Sequence, residues 1–392
     1  MSNAMMPDGA RSMRFHWSLP STGVADRLKG ANSRYEINPV MDLDRQREFC
    51  QRADELAIHS LLLPIGFQRA DPTTLAAVYG MATERLRFMA ASRAGVISPT
   101  HFVQQVNTVS AFTNGRIDVN VVSGQGSEEM RYYGDFSNHD ERYQHTDEFW
   151  TICHALWRRE FPVNFAGQFL RVEGARVNQR FISPDSHRPY IYIGGSSDQA
   201  LELAVKHGDC LLRLAEPPEM LAPKIQPALA AGIEVGIICS QVAAPTHDEA
   251  VADARNLAAN AGDQGLAAQA DWRRMTADSE GFAAVYELGE RDEHWLTPYL
   301  WTGLVKYMGP PSIALVGSVE EIIEAIFEYR RIGVTQFLFQ ARPDFPTLNF
   351  FGTRILPQIR AREAREPLVL GTGGRLLAGS GRPGPQPVEL GG

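Results

Sequence analysis

Eight times along the chain a short apolar run is followed by a stretch with helical periodicity, and this alternation limits the fold more than any other feature. The apolar runs fall at residues 14–19, 59–63, 86–91, 117–122, 190–193, 210–214, 235–242 and 336–339. Helical patterns occupy 43–57, 73–81, 141–157, 198–206, 218–229, 248–259, 320–331 and 347–362, and Pro99 opens a further helix at a position proline tolerates. Strands that alternate with helices build α/β folds. Eight such units predict a closed (β/α)8 TIM barrel; an open, doubly wound sheet is the structural alternative.

Two stretches fall outside the repeat. Residues 161–184 read as an extended excursion or hairpin. Residues 262–311 read as long and irregular, rich in Asp, Glu, Arg and aromatics, and insertions of this kind at barrel loops are lids or interfaces. They are expected at the C-terminal face of the barrel. One domain is expected over residues 13–370, followed by a loose Gly/Pro-rich tail at 371–392.

A chain of 392 residues, 44% hydrophobic, can bury a core of this size. Its net charge of −8 argues against a nucleic-acid partner, which requires a basic stripe. No apolar run reaches the length of a membrane span, and the N-terminus lacks the basic and apolar regions of a signal peptide. The cysteines at 50, 153, 210 and 239 are scattered, with no C-x-x-C pair. They fit buried apolar roles in a reducing cytoplasm better than disulfides or zinc. The expected location is therefore cytoplasmic.

Chemistry concentrates where strands end. The fifth apolar run stops at Gly194-Gly195-Ser196-Ser197 and then turns helical. A helix start after small residues presents unpaired N–H groups and the positive end of the helix dipole, which suits a phosphate, and serine adds hydroxyl donors. The fourth run ends at Ser123-Gly124 and leads through an acidic, aromatic loop to Asp140-Glu141-Arg142-Tyr143. Two such strand ends suggest a phosphorylated cofactor lying across the barrel mouth. The histidines show no H-E-x-x-H pattern and no pairing with cysteines at ligand spacing, and no G-x-S-x-G elbow marks a hydrolase. His16, within the first strand, reads as a satisfied core histidine rather than a base, and His294 as structural.

These residues resemble the bacterial luciferase-like flavin monooxygenases, nearest to the alkanesulfonate monooxygenase branch. The likeness runs in order over roughly residues 13–360 through Arg85-Leu86-Arg87-Phe88, Ser98-Pro99-Thr100, Asn114-Gly115-Arg116, Glu141-Arg142-Tyr143, Gly194-Gly195-Ser196-Ser197-Asp198, Glu216-Pro217-Pro218-Glu219, Leu300-Trp301-Thr302-Gly303-Leu304-Val305 and Ala314-Leu315-Val316-Gly317. The resemblance implies a TIM barrel and reduced FMN (FMNH2) as cosubstrate. It also implies O2 as oxidant by way of a C4a-(hydro)peroxyflavin, a separate NAD(P)H-dependent flavin reductase, and a homodimer or homotetramer. It places the phosphate at Gly194, Gly195, Ser196 and Ser197 with Tyr143 alongside, and Ser123 against the isoalloxazine. Two other expectations stand beside it: an F420-dependent oxidoreductase of the same superfamily, and a flavin-binding protein without catalysis.

The chain departs from the branch around the substrate. The arginine and histidine that the branch carries on strand seven fall on Ile238 and Ser240, its cysteine after strand two on Arg69, and its histidine after strand one on Thr22. Its tyrosine after strand eight falls on Arg342, and its mobile-loop arginine near Lys306. A buried sulfonate without positive partners costs several kcal/mol. Arg342, Lys306 and Arg69 are therefore the candidate catalytic residues, as contacts to an anionic substrate. Alternatively, Ile238 and Cys239 line a more apolar pocket for a different small organic molecule, an organosulfur compound or a biosynthetic intermediate.

Overall fold

In the computed structural model, residues 12–20, 42–67, 69–123, 127–341 and 343–366 are described. Eight parallel strands close on themselves. They are β1 (Arg14–Ser18), β2 (Ser60–Leu63), β3 (Arg87–Ser92), β4 (Ile117–Val122), β5 (Ile191–Gly194), β6 (Cys210–Leu214), β7 (Glu234–Ala244) and β8 (Val334–Phe339). Each pairs with the next, β8 pairs with β1, and the β6–β7 ladder from Cys210–Glu234 to Leu214–Ile238 completes the ring. The expected barrel is the observed one. The expected tail at 371–392 lies outside the described residues.

Strand alternation sorts the side chains into two sets. Phe15, Trp17, Leu61, Phe88, Val119, Ile193, Ile237 and Phe339 face outward into the main core, against the helix layer. The inward set changes character with height. Its upper part is apolar, with Leu62, Met89, Ala91, Leu212 and Leu338 in one cluster. Its lower part is polar and cross-braced. His16 bonds Ser60 Oγ (2.7 Å) and Gln336 Oε1 (3.0 Å), and Gln336 Nε2 donates to Glu234 (2.6 Å) and to Tyr190 Oη (3.0 Å). Arg87 donates twice to the fully buried Asp118, at 2.6 and 2.9 Å. Burial, reinforced by the nearby Arg14, pushes the His16 imidazole down to about 3. It is a neutral, satisfied core histidine, as its place in an apolar strand implied.

The helices start where local chemistry directs. Asp71 caps Pro72–Gly80 by accepting from Thr74 N at 2.7 Å. Asn138 with Glu141, and Ser318 with Glu321, form reciprocal capping boxes on His139–Arg158 and Val319–Arg331. The expected hairpin is present, with Val163–Ala166 antiparallel to Arg171–Ala175.

The largest departure from expectation lies in the second half. The helix read at 248–259 runs on as His247–Met275, with a break at Gly262, whose φ of 46° and ψ of −147° only glycine adopts without strain. The segment read as irregular holds most of a second layer: the end of that helix, the helix Glu280–Gly289 and the short strand Leu300–Trp301. Strand β7 explains how it attaches. Val235 to Cys239 close the barrel against β8, whereas Ser240 to Ala244 leave it and pair with the parallel strand Ala314–Ser318, which the sequence reading did not identify. That strand then pairs antiparallel with Leu300–Trp301. One strand thus serves the barrel and the insertion, and brings the insertion to the C-terminal mouth. All four cysteines are free and buried. Among the described residues no helix is long and apolar enough to cross a membrane.

Candidate functional site

A pocket of about 160 Å³ opens at the C-terminal ends of the barrel strands, the face where barrel enzymes place their chemistry. Gly194 ends β5, Gly195 follows it, and Ser196 and Ser197 lead into the helix Asp198–His207. All four, together with Tyr143, line this one pocket. A Cβ on Gly195 would lie 2.5 Å from Ala200 Cβ, so the turn packs too tightly for any larger residue.

The hydrogen bonds here run in one direction. Ser197 Oγ accepts from Ala200 N (3.3 Å) as the helix N-cap, and donates to Tyr143 Oη (3.1 Å). Tyr143, having accepted, has its own proton left to donate into the pocket. Burial raises the phenol's pKa, with Glu280 and Asp278 adding to the rise and the Ser197 hydroxyl and Arg142 opposing it. The phenol therefore stays a neutral donor. A second helix, Glu280–Gly289, begins at the same place without a side-chain cap on Ser279. Its residue Gly281 comes so near that a Cβ there would lie 2.8 Å from Ser196 Oγ. Two helix N-termini and a polarised hydroxyl relay thus face one volume, an arrangement suited to an anion such as a phosphate.

The floor and far wall differ. Leu62, Ala91, Val122, Leu212, Ile238 and Leu338 are apolar. Asn120 rises among them, 7% exposed, and its Oδ1 has no hydrogen-bond partner among the described residues. That oxygen is itself closed to solvent, so the residue contributes one polar carboxamide to a largely apolar lining, with a hydrogen-bonding capacity that the fold leaves unused. Arg93, 4% exposed, also lines the pocket. Its Nη2 donates to Glu129 Oε2 at 3.0 Å, while Glu129 Oε1 accepts from Phe67 N at 2.9 Å. This pair ties the end of β3 to the rim.

The roof is held by Arg142. Its Nε and Nη1 donate to the carbonyls of Ser123 (3.2 Å) and Ser137 (3.1 Å), and its Nη2 to Asp278 Oδ2 (2.5 Å). Asp278 immediately precedes Ser279, Glu280, Gly281 and Phe282, the insertion residues that line the pocket. The insertion is therefore fastened over the mouth by one buried guanidinium.

A family model described as luciferase-like monooxygenase matches residues 13–336. The chain belongs to the luciferase-like monooxygenase family. Its fold is similar to that of a riboflavin lyase solved with modified FMN and substrate riboflavin (TM-score 0.71, 20% identity, covering 90% of this chain and 92% of that one). A long-chain alkane monooxygenase is also similar (TM-score 0.69, 18% identity, 90% and 92% covered). So is an F420-dependent secondary alcohol dehydrogenase (TM-score 0.61, 18% identity, 89% and 99% covered).

Of the residues singled out in the sequence, the turn at 194–197 and Tyr143 come together. Ser123 is buried at the end of β4, but it stands outside the pocket lining, engaged through its carbonyl by Arg142. Lys306 is exposed on the short helix Val305–Met308, its ammonium 5.0 Å from the Tyr307 ring centroid, and does not line the pocket. Arg69 is half-buried beside Gly66, beyond the lining residues. Arg342 and Thr22 lie outside the described residues. Ile238 lines the pocket as expected, whereas Cys239 does not: one position along a strand reverses the side chain, and Cys239 packs in the outer core. Ser240 also points inward and donates to the Pro311 carbonyl at 3.3 Å. The sequence reading missed Arg93, Asn120 and the 279–282 segment. Their signal was position: Arg93 and Asn120 both sit near strand C-termini.

Proposed function

We propose that this protein is an FMNH2-dependent monooxygenase of the two-component type, supplied with reduced flavin by a separate NAD(P)H-dependent reductase and using O2 to oxygenate a small organic substrate. The observation that carries the reading is the relay from the helix N-terminus through Ser197 to Tyr143, which ends in a hydroxyl on the wall of a largely apolar mouth. When bound, reduced flavin supplies the two electrons with which O2 is activated, one oxygen going to substrate and the other to water. The protein's own residues hold and shield. Gly195, Ser196, Ser197 and Tyr143 would grip the phosphate. The cover fastened by Arg142 and Asp278 would keep water from the reacting centre. On this reading the likeness to the alkanesulfonate branch extends to the cofactor and not to the substrate, and the protein works in the cytoplasm as a homodimer or homotetramer.

F420-dependent folds among the structural neighbours supply the competing reading. Anaerobic titration with reduced FMN and with reduced F420 separates the two. The expected result is saturable binding of reduced FMN, tighter than of oxidised FMN, with no preference for F420. Tight F420 binding without FMNH2 binding overturns the proposal.

A further inference from the structure

The side of the pocket away from the phosphate turn carries its own chemical signature. Ile238 and Leu338 form one wall, Pro64 and Ile65 the other, and Pro311 closes the top. Pro311 is held there because Ser240 N donates to Ile313 O (2.7 Å) and Ser240 Oγ to the Pro311 carbonyl, which fixes this segment to β7. The polar groups on this side are few: Gln340 and Arg93. Arg93 is the only guanidinium or ammonium among the described lining residues, and Glu129 already neutralises it inside the protein. An anionic headgroup entering this volume would lose its water and meet no unpaired cation among these residues, a cost of several kcal/mol.

The approach to the pocket repeats the pattern. Two residues beyond Ile65, Phe67 stands partly exposed, its ring edge-on to Tyr132 with centroids 5.2 Å apart. Phe67 is bound through its backbone to Glu129, the partner of Arg93, so this aromatic pair flanks the wall that Arg93 lines. Exposed aromatics next to an apolar cavity extend the low-polarity surface outward from it.

We infer that the substrate is an uncharged molecule whose reacting portion is hydrocarbon-like, received between the Pro64–Ile65 and Ile238–Leu338 walls, and that Ile238 is the residue that excludes anions. This rests on the reading of the mouth as the oxygenating site. Ile238 is the apt position because its neighbours on β7 leave room. Gly236 has no side chain and Ser240 is turned to Pro311, so Ile238 alone sets the polarity of that strand at the mouth.

The test uses two probes of equal chain length and different charge, 1-decanol and 1-decanesulfonate, titrated calorimetrically into the full-length protein with and without FMN. For the unaltered protein we expect decanol to bind at least tenfold more tightly than decanesulfonate. Ile238→Arg should collapse or invert that ratio, and Ile238→Leu, which keeps the volume and polarity, should leave it unchanged and serves as the folding control. Equal or tighter binding of decanesulfonate by the unaltered protein overturns the inference, as does a ratio that Ile238→Arg fails to move. Flavin titration of the same sample keeps the two ideas apart. FMN binding without decanol preference sinks the substrate class alone, and decanol preference without FMN binding sinks the cofactor reading alone.

Discussion

Replacing Tyr143 by phenylalanine removes one oxygen from the end of the hydroxyl relay and leaves the ring in place. In the intact protein Tyr143 Oη accepts from Ser197 Oγ at 3.1 Å, so its own proton is the one presented to the pocket. A hydrogen bond to a charged group contributes about 1.5–3 kcal/mol. At roughly 1.4 kcal/mol per tenfold, losing it should weaken FMN binding by roughly 10- to 150-fold. The Ser197 hydroxyl also loses its acceptor, at a cost of order 1 kcal/mol to folding. The decisive comparison is riboflavin, which has the same ring and no phosphate. Anaerobic fluorescence titration of Tyr143→Phe should show a large loss for reduced FMN and little change for reduced riboflavin. Because burial raises the phenol's pKa, the difference should persist at mildly alkaline pH. Equal losses for the two flavins would place the Tyr143 hydroxyl at the ring instead of the phosphate, and unchanged FMN affinity would remove Tyr143 from the site altogether.

Further outcomes follow from the same geometry. Ser197→Ala should lower both FMN affinity and thermal stability, since Ser197 is also an N-cap worth about 0.5–2 kcal/mol, whereas Ser196→Ala should lower affinity alone; identical melting temperatures for the two variants would contradict the capping role. Asp278→Ala leaves Arg142 without its carboxylate and unfastens the cover, so NADH consumption in a reductase-coupled assay should shift toward hydrogen peroxide; unchanged coupling to product would count against a fastening role. Glu129→Ala strands the buried Arg93 and should cost about 3–5 kcal/mol in urea unfolding, and a loss under about 1 kcal/mol would mean that the guanidinium finds water. His16 has a folded-state pKa near 3, below the usual imidazole value of 6.5. The unfolded chain therefore binds the extra proton, and stability falls by up to about 1.4 kcal/mol for each pH unit as pH drops from about 6.5 toward 3. His16→Gln should flatten that acid limb, and an unaltered pH slope would refute the assignment.

Most of the barrel was legible because short buried apolar runs and helix caps are local signals. The turn at 194–197 was legible for the same reason: a strand that stops at glycines before a serine cap announces itself without tertiary information. The insertion was not. Its long helix was read only as far as residue 259; beyond the break at Gly262 the chain reads as loop until the partner surface is known. Ala314–Ser318 is as long as barrel strands that were read, but it falls between the irregular stretch and the next helix, where the eight-unit repeat has no place for it, and its partner, the outer half of β7, is settled only by where the barrel ends. Arg93 escaped because a polar residue just past an apolar run looks like the start of a loop, and Asn120 because a lone polar residue inside such a run does not show which way it faces; only the closed ring brings both to one cavity. The Cys239 expectation failed on parity: adjacent strand positions face opposite ways, and the choice between Ile238 and Cys239 needs the register with β6 and β8.

The braced polar layer inside the barrel has a consequence for traffic. Below the pocket the interior is plugged by two braced groups, the Arg87–Asp118 ion pair and the chain His16–Gln336–Glu234, and none of these residues lines the cavity. Among the described residues the cavity is thus a cul-de-sac. On the proposed function, flavin and substrate would then enter from the mouth, beneath the segment tethered to Arg142, and not from below. Molecules that share one door have to queue, so the order of arrival and departure would be built into the architecture, and a bulky late-leaving product would hold up every molecule behind it.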